Sequence, residues 1–484
     1  MTSHLEIERK YDIEPGIALP GLRGLPDVAE TGEPETYLLT ARYFDTEDLR
    51  LAARGITLRH RLGGPDDGWH LKLPAGPGAK HELHAPPDAR TVPAPLAALV
   101  VGHTRGRPLV QVATLETRRT VHPLLGPDGE VLAEVADDEV TGWPADGRPL
   151  TWREVEVELG AGSAGLLTAA GDRLCAAGAR PSRSTSKLGR VLSVRTAEPS
   201  SRAYRTAGDV VTSYVAEQFE TMLGYDPRVR QAEYDSVHKM RVAVRRIRSI
   251  LRSTARLLEP DRIPGLEAEL KWLAGELGEV RDLEVLRERF AGRLSEIGEP
   301  LPSWMATLDA KERLAYDRLN HTLAGDRYFA LLDAIEAFVT DPPLTERASR
   351  KAHKAVPALV AGAWRRVARR HAELEEAEDP DEARHRTRKA AKRARYTAEA
   401  ARPVLGEPAR SIAVQAGRVQ EVLGAYQDSV IARERLAELS AGDREETVEL
   451  LIEVERRAAD QALDDAHAIW TEAADPKYVR ALTG

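Results

Sequence analysis

Glu6, Glu8 and Lys10 in the run EIERK are spaced two apart, and on a strand that spacing turns all three side chains to one face. Two carboxylates and an ammonium on one face are either ordinary solvated surface or the makings of a site. The carboxylates would supply hard oxygen ligands to Mg²⁺ or Mn²⁺, and the ammonium would supply a contact to a phosphoryl group. Other charges in the first 190 residues follow the same alternation. Glu134, Ala136 and Asp138 share a face in LAEVADDEV, and Glu154, Glu156 and Glu158 share one in WREVEVEL. Bases gather in separate runs: Arg59 and Arg61 in ITLRHRL, His70 and Lys72 in WHLKL, Arg118 and Arg119 in TRRTV, and Lys187 in SRSTSKLGRVL, with Lys80 in KHELH as a further candidate.

An anion with several phosphoryl groups spreads its negative charge over all of them, so holding one would take several separated cations. Arg59, Arg61, Lys72, Arg118 or Arg119, and Lys187 are that set. Strand alternation lets only one of Arg118 and Arg119 point inward, and spacing does not say which. Glu6, Glu8, Glu134, Asp138, Glu156 and Glu158 are more acids than one ion needs. Two metals are therefore expected as an option, one bridging phosphates and one holding the attacking water. Glu154 shares the face of Glu156 and is placed at the mouth.

Short alternating runs broken by Gly and Pro favour an all-β or α+β domain. If its strands close with the charged faces inward, the lumen becomes a polar tunnel, and eight strands are just wide enough to hold one small ligand. Helix signals are few. Thr46 reads as an N-cap with Gly55 as the stop, which makes Asp45 and Thr46 structural, and a second helix is expected between Ala164 and Gly178.

The 484 residues exceed a single core, and a net charge of −8 with 30% charged residues gives no overall attraction to nucleic acid. The single cysteine, Cys175, excludes an intramolecular disulfide. MTSHLEIERK lacks an apolar signal run, and no apolar stretch of about 18 residues occurs. A cytoplasmic protein with no membrane partner is expected, with polyphosphate granules as a further place for it.

Residues 196–208, TAEPSSRAYRTAG, read as a linker, and Ala, Leu, Glu and Arg at helical period follow to the end. HKMRVAVRRIR from His238 and HRTRKAAKRAR from His385 match 147 residues apart, and LGEVRD from Leu277 and LGAYQD from Leu423 match 146 apart. Two motifs repeating in register argue for a duplicated helical unit. His238, Arg241, Arg245, Arg248 and Arg252 step by three and four along one stripe, as do His385, Arg388, Lys392 and Arg395. Residues 238–252 hold six Lys or Arg and no acid. Like charges at that spacing repel, so an anionic partner is expected. Arg350, Lys351, His353, Lys354, Arg365, Arg366, Arg369 and Arg370 would extend the surface. Asp282 and Asp428 are expected to pair with the arginines.

EIERK, RYFDTEDLRLAARGITLRHR, WHLKLP, the acidic runs and SKLGR resemble the CYTH superfamily of triphosphate tunnel metalloenzymes. That resemblance implies an eight-stranded antiparallel β-barrel tunnel with flanking helices over 1–197, binding triphosphate on its bases and a divalent metal on its acids. Catalytic roles then fall to Glu6, Glu8 and Lys10. The two stripe motifs resemble the CHAD family. This implies a duplicated helical-bundle domain over 208–484, with repeats at about 208–340 and 345–484, that binds inorganic polyphosphate behind a linker at 198–207. The function expected is hydrolysis of inorganic triphosphate. The alternatives are a thiamine or nucleoside triphosphatase, a class IV adenylyl cyclase, or a polyphosphate-binding scaffold with weak or no catalysis. Five phenylalanines and no aromatic cluster near the charged strands weigh against a nucleoside. The stripes offer few stacking rings beyond Tyr396, which disfavours nucleic acid as a partner.

Overall fold

The computed structural model describes residues 2–76, 78–145, 147–193, 204–439 and 446–482, and the chain divides into two units, Met1–Ser200 and Ser201–Gly484. The expected linker at 198–207 lies outside the described residues up to 203. The first unit contains β1 (Thr2–Asp12), β2 (Glu30–Thr31), β3 (Glu35–Asp45), β4 (Thr57–Leu62), β5 (Gly68–Gly76), β6 (Ala79–Ala85), β7 (Val110–Leu125), β8 (Val131–Pro144), β9 (Leu150–Leu159) and β10 (Arg180–Pro181). Eight of them form a ring in the order β1-β6-β5-β4-β3-β7-β8-β9, closed by antiparallel pairing of β9 with β1. The two-residue strands β2 and β10 attach to β7 and β1. Closure removes the exposed sheet edges and gives every charged face a common interior.

The outer faces carry the apolar cores. Tyr11, Val135, Val155 and Val157 pack under α2 (Ala164–Ala176) through Leu166 and Leu174. Leu58, Trp69, Leu71 and Leu83 pack under α1 (Ala94–Thr104) through Leu96 and Val100. A third helix, α3 (Lys187–Leu192), buries Leu188 and Val191 against Tyr43, Leu115, Val140 and Trp152. These residues alternate with the outward ones and share the lumen side with Asp138 and Glu154, so α3 closes that end of the barrel and carries Lys187 into it.

The helix expected from Thr46 does not form. Asp45, fully buried, accepts from the backbone N–H groups of Thr46, Leu51 and Ala52 at 2.7–2.9 Å. Those bonds satisfy the donors of a tight turn in place of a helical ladder, leaving only a 3₁₀ turn at Ala52–Arg54 stopped by left-handed Gly55.

The second unit is helical: α4 (Ala207–Arg230), α5 (Ser236–Ser253), α6 (Pro264–Ile297), α7 (Met305–Leu323), α8 (Asp326–Thr340), α9 (Ala352–Ala372), α10 (Pro380–Leu405), α11 (Glu407–Leu439), α12 (Glu446–Ala473) and α13 (Lys477–Arg480). Thr206 and Asp209 form a reciprocal capping box that starts α4. The two stripe helices, α5 and α10, pack against each other. Among the described residues, no helix is long and apolar enough to cross a membrane.

Candidate functional site

Strand register stacks the lumen charges in opposed pairs. Across adjacent strands Lys10 lies opposite Glu156, Glu8 opposite Glu158, and Glu6 opposite Lys80. Lys72 lies opposite Glu82, Arg59 opposite both His70 and Tyr43, Arg119 opposite Asp138, and Asp138 opposite Glu154. Removing a charge from water costs several kcal/mol unless a partner is close, so a lumen of this kind must pair its own acids and bases. Lys72 Nζ reaches Glu6 at 2.5 Å, Lys80 Nζ reaches Glu8 at 2.6 Å, and Lys10 Nζ reaches Glu8 at 3.0 Å and also contacts Glu156. Arg119 donates to both oxygens of Asp138 at 2.8 and 2.7 Å and to Glu156 at 2.5 Å. Arg61 pairs with Asp66.

These contacts settle several positions that spacing leaves open or misplaces. Arg119 is the inward member of its pair. Arg118 points out, 62% exposed, with Glu139 at 3.8 Å, because neighbouring residues on a strand take opposite faces. It is therefore no tunnel residue. Glu134, expected beside Asp138, lies four residues nearer the start of β8, opposite Glu158, and is exposed. Its place in the buried acid cluster is taken by Glu154, which is not at the mouth but buried against Lys187 at 2.8 Å. Lys187 itself comes from the first turn of α3 and not from a strand. Lys80 faces the lumen as expected. Glu82 is a lumen residue that the sequence reading misses, although it shares the face of Lys80 two residues on. Buried, it accepts from His70 Nδ1 at 2.8 Å and pairs with Lys72 at 3.3 Å and Arg59 at 3.8 Å.

Arg119→Ala is expected to leave Asp138 and Glu156 short of a cation and to cost about 3–5 kcal/mol, whereas Arg118→Ala should change stability by less than about 0.5 kcal/mol. Denaturant unfolding measures both, and equal losses would contradict the inward orientation of Arg119.

The titrating groups mark two kinds of place. Burial alone would raise Glu8, but Lys10, followed by Lys80 and Lys72, brings it down to about 2. Burial would likewise raise Asp138 and Glu156; Arg119 and Lys187 hold Asp138 low, and Lys10, Lys187 and Arg119 hold Glu156 well below the ordinary carboxyl value. Glu158 goes the other way, pushed up to about 7 by burial and then by the charge of Glu6, against which Lys72 does not prevail. Among the described residues no ion pair reaches it. Glu8 and Glu158 stand directly opposite each other, an arrangement that like charges disfavour. A divalent cation beside them would offset that repulsion; among the described residues, the acids whose oxygens all lie within 4.8 Å of one another, as a shared ion requires, are Asp138, Glu154 and Glu156.

In the second unit the repeated motifs meet side chain to side chain. Arg241 Nη1 donates to Asp282 at 3.0 Å, and Arg388 Nη2 lies 3.7 Å from Asp428. A Cβ on Gly278 would come within 3.2 Å of the Arg241 guanidinium, and one on Gly424 within 3.2 Å of Arg388. The shared Leu-Gly pair thus leaves room for an arginine, and the shared Asp holds it. Arg245 and Lys392 face the same cluster. Burial lowers both, and their neighbours add to it: Arg241 and Arg388 for Arg245; Arg388, Arg245 and Arg241 for Lys392, which falls to about 7. The Nε atoms of Arg241, Arg245, Arg248 and Arg388 are buried and have no hydrogen-bond partner among the described residues. Towards the stripe ends, Arg252 pairs with Glu267 at 3.0 Å and Arg395 with Glu399 at 3.0 Å and Glu421 at 3.3 Å. His238 and His385 are part-buried and kept neutral, by burial first and then by Arg281 and Lys389 respectively.

A closed antiparallel barrel with both signs of charge inside, followed by a helical region with paired basic stripes, defines a class. Residues 4–187 match the CYTH domain and residues 213–437 the CHAD domain, and the chain belongs to the CYTH–CHAD family of triphosphate tunnel enzymes. It is 36% identical over 500 residues to an uncharacterized protein, MT2285, of Mycobacterium tuberculosis (strain CDC 1551 / Oshkosh), spanning 96% of this chain and 95% of that protein. The crystal structure of the CHAD domain from the plant Ricinus communis is similar at 23% identity and a TM-score of 0.48, covering 56% of this chain and 93% of that one. PptA from Streptomyces chartreusis is similar at 21% identity and a TM-score of 0.44, covering 55% and 99%.

Proposed function

We propose that the barrel, domain 1–197, hydrolyses inorganic triphosphate with Mg²⁺ or Mn²⁺, and that the helical domain, 208–484, binds inorganic polyphosphate. The observation that carries the reading is a closed lumen in which Lys10, Arg59, Lys72, Lys80 and Arg119 are each balanced by a carboxylate of the chain. Such cations are already placed, and an entering triphosphate exchanges protein carboxylates for phosphate oxygens without unpaired charge at any stage. Glu6, Glu8 and Glu158 would hold the metal. When bound, the ion neutralises phosphoryl oxygens and lowers the pKa of a coordinated water. Lys10, fixed between Glu8 and Glu156, contacts the terminal phosphoryl group, while Arg59 and Lys72, steadied by Glu82, grip the others. In-line attack then needs positioning and charge neutralisation more than covalent chemistry.

In the helical domain, the buried Nε atoms of Arg241, Arg245 and Arg388, which have no hydrogen-bond partner among the described residues, support an extended anion as ligand, with the Lys392 ammonium in the same cluster.

The test is a panel of tripolyphosphate, longer polyphosphates, ATP and thiamine triphosphate with each metal. Phosphate release is expected fastest from tripolyphosphate, and Glu6→Gln should lower it by about a hundredfold or more. Release from none of the four, or an unaffected Glu6→Gln variant, would end the hydrolase reading; cyclic AMP from ATP would replace it with the cyclase.

A further inference from the structure

His70 stands among the lumen charges without a part in the chemistry proposed for them. It lies on β5 two residues before Lys72, so the two side chains share the inward face, and it is 2% exposed. Its Nδ1 donates to Glu82 Oε1 at 2.8 Å, diagonally across the β5–β6 pair, in which Lys72 is directly opposite Glu82 and His70 opposite His84. Its Nε2 lies 2.9 Å from the backbone carbonyl oxygen of Asp66, in the turn between β4 and β5. Burial, and then Arg59 and Arg61, bring the imidazole down to about 3 against the pull of Glu82, so the ring is neutral. A neutral imidazole has a single N–H, and of the two acceptors the charged carboxylate is the stronger.

The other partners of Glu82 are cations that a triphosphate would claim. Lys72 Nζ lies 3.3 Å from Glu82 Oε2 and Arg59 3.8 Å from Oε1. The exposed His4 lies 3.5 Å from Oε2. Each cation is shared, Lys72 with Glu6 at 2.5 Å and Arg59 with the Tyr43 hydroxyl at 3.4 Å. When phosphoryl oxygens draw Lys72 and Arg59 away, Glu82 loses both together. A buried carboxylate stripped of its donors is costly, and that cost would hold the cations back from the ligand. His70 is neutral and belongs to the barrel wall, so the triphosphate does not compete for it. Glu82 therefore keeps one hydrogen bond whether the lumen is empty or filled.

We infer that His70 is a positioning residue for triphosphate binding: by giving Glu82 a hydrogen bond that the ligand does not take, it lets Lys72 and Arg59 pass from Glu82 to the phosphoryl oxygens. This rests on the reading of the lumen as a triphosphate site.

The test is calorimetry on the full chain with Mn²⁺ and diimidotriphosphate, a triphosphate whose bridging oxygens are replaced by N–H groups so that it binds without turnover. An Asn side chain places its amide N–H near the position of Nδ1, and a Gln side chain places it near Nε2. His70→Gln is expected to weaken binding about tenfold, and His70→Asn by less than about twofold. In a Glu82→Gln background, where no carboxylate needs the donor, His70→Gln should change the affinity by less than about twofold. A merely structural role would carry through to that background, so a tenfold loss there overturns the inference, as does a His70→Gln variant that binds like the wild type. Should His70→Gln not fold, nitrogen-15 NMR of the wild-type imidazole decides: Nδ1 is expected to carry its proton with and without diimidotriphosphate, and an Nδ1 that is unprotonated in the loaded chain overturns the inference. A wild type that binds no diimidotriphosphate would instead overturn the reading of the lumen on which the inference stands.

Discussion

Glu156→Gln is expected to destabilise the barrel by about 3–5 kcal/mol and to slow triphosphate hydrolysis by about a thousandfold. Among the described residues, no other carboxylate of the lumen touches Lys10, Lys187 and Arg119 together. The amide keeps the shape and loses the charge, so three buried cations lose their common counter-ion while remaining in place. Deuterium exchange of the β1, β8 and β9 amides assigns the loss to the barrel in a chain with a second folded unit. The pH dependence follows from the same contacts. Glu156 is held well below its ordinary 4.5, so its contribution is fully present above that value and is lost as pH falls through the folded-state value. The stability gap between wild type and Glu156→Gln should stay constant from about pH 8 to pH 5 and shrink below 4.5. A gap that widened on acidification would show that Glu156 is not the anion of this cluster.

What can be read in advance depends on whether one strand decides the question or several elements do. Glu6, Glu8 and Lys10 share a face because alternation is local, and a five-residue run contains it. The choice between Arg118 and Arg119 depends on which face of β7 turns inward, a property of β3 and β8 packed on either side. Lys187 follows a set of strand-borne bases and reads as one of them. Its real position comes from a six-residue helix whose Ser186 cap and buried Leu188 and Val191 matter only once a barrel end exists for them to fill. Glu82 has a local signal, the same alternation that puts Lys80 in the lumen. An acid among bases looks like a surface pair, and that resemblance hides it. The Leu-Gly and Asp repeat carries its meaning only at the level of sequence similarity; the packing of Gly278 and Gly424 on two arginines supplies the physical cause.

Binding of long-chain polyphosphate to the full chain is expected to weaken by about tenfold from pH 6.5 to pH 8.5, through Lys392. In the free protein burial, then Arg388, Arg245 and Arg241, bring Lys392 down to about 7, with Asp428 offsetting part of that. A polyanion reverses the local field and raises the value, so binding takes up a proton near neutrality. Affinity is therefore greatest below 7 and falls as the free lysine loses its proton. A guanidinium does not titrate over this range, and burial, then Arg281 and Lys389 respectively, lowers His238 and His385 from 6.5. Lys392→Arg should abolish the slope, because a guanidinium does not titrate in this range, and should bind at pH 8.5 about as tightly as the wild type does at pH 6.5. Arg245→Glu with Lys392→Glu should remove binding altogether, since both reversed charges face the same cluster. Fluorescence anisotropy of labelled polyphosphate measures all three proteins. A Lys392→Arg variant that kept the wild-type slope would place the titrating group elsewhere, and an unaffected double variant would move the ligand off these helices.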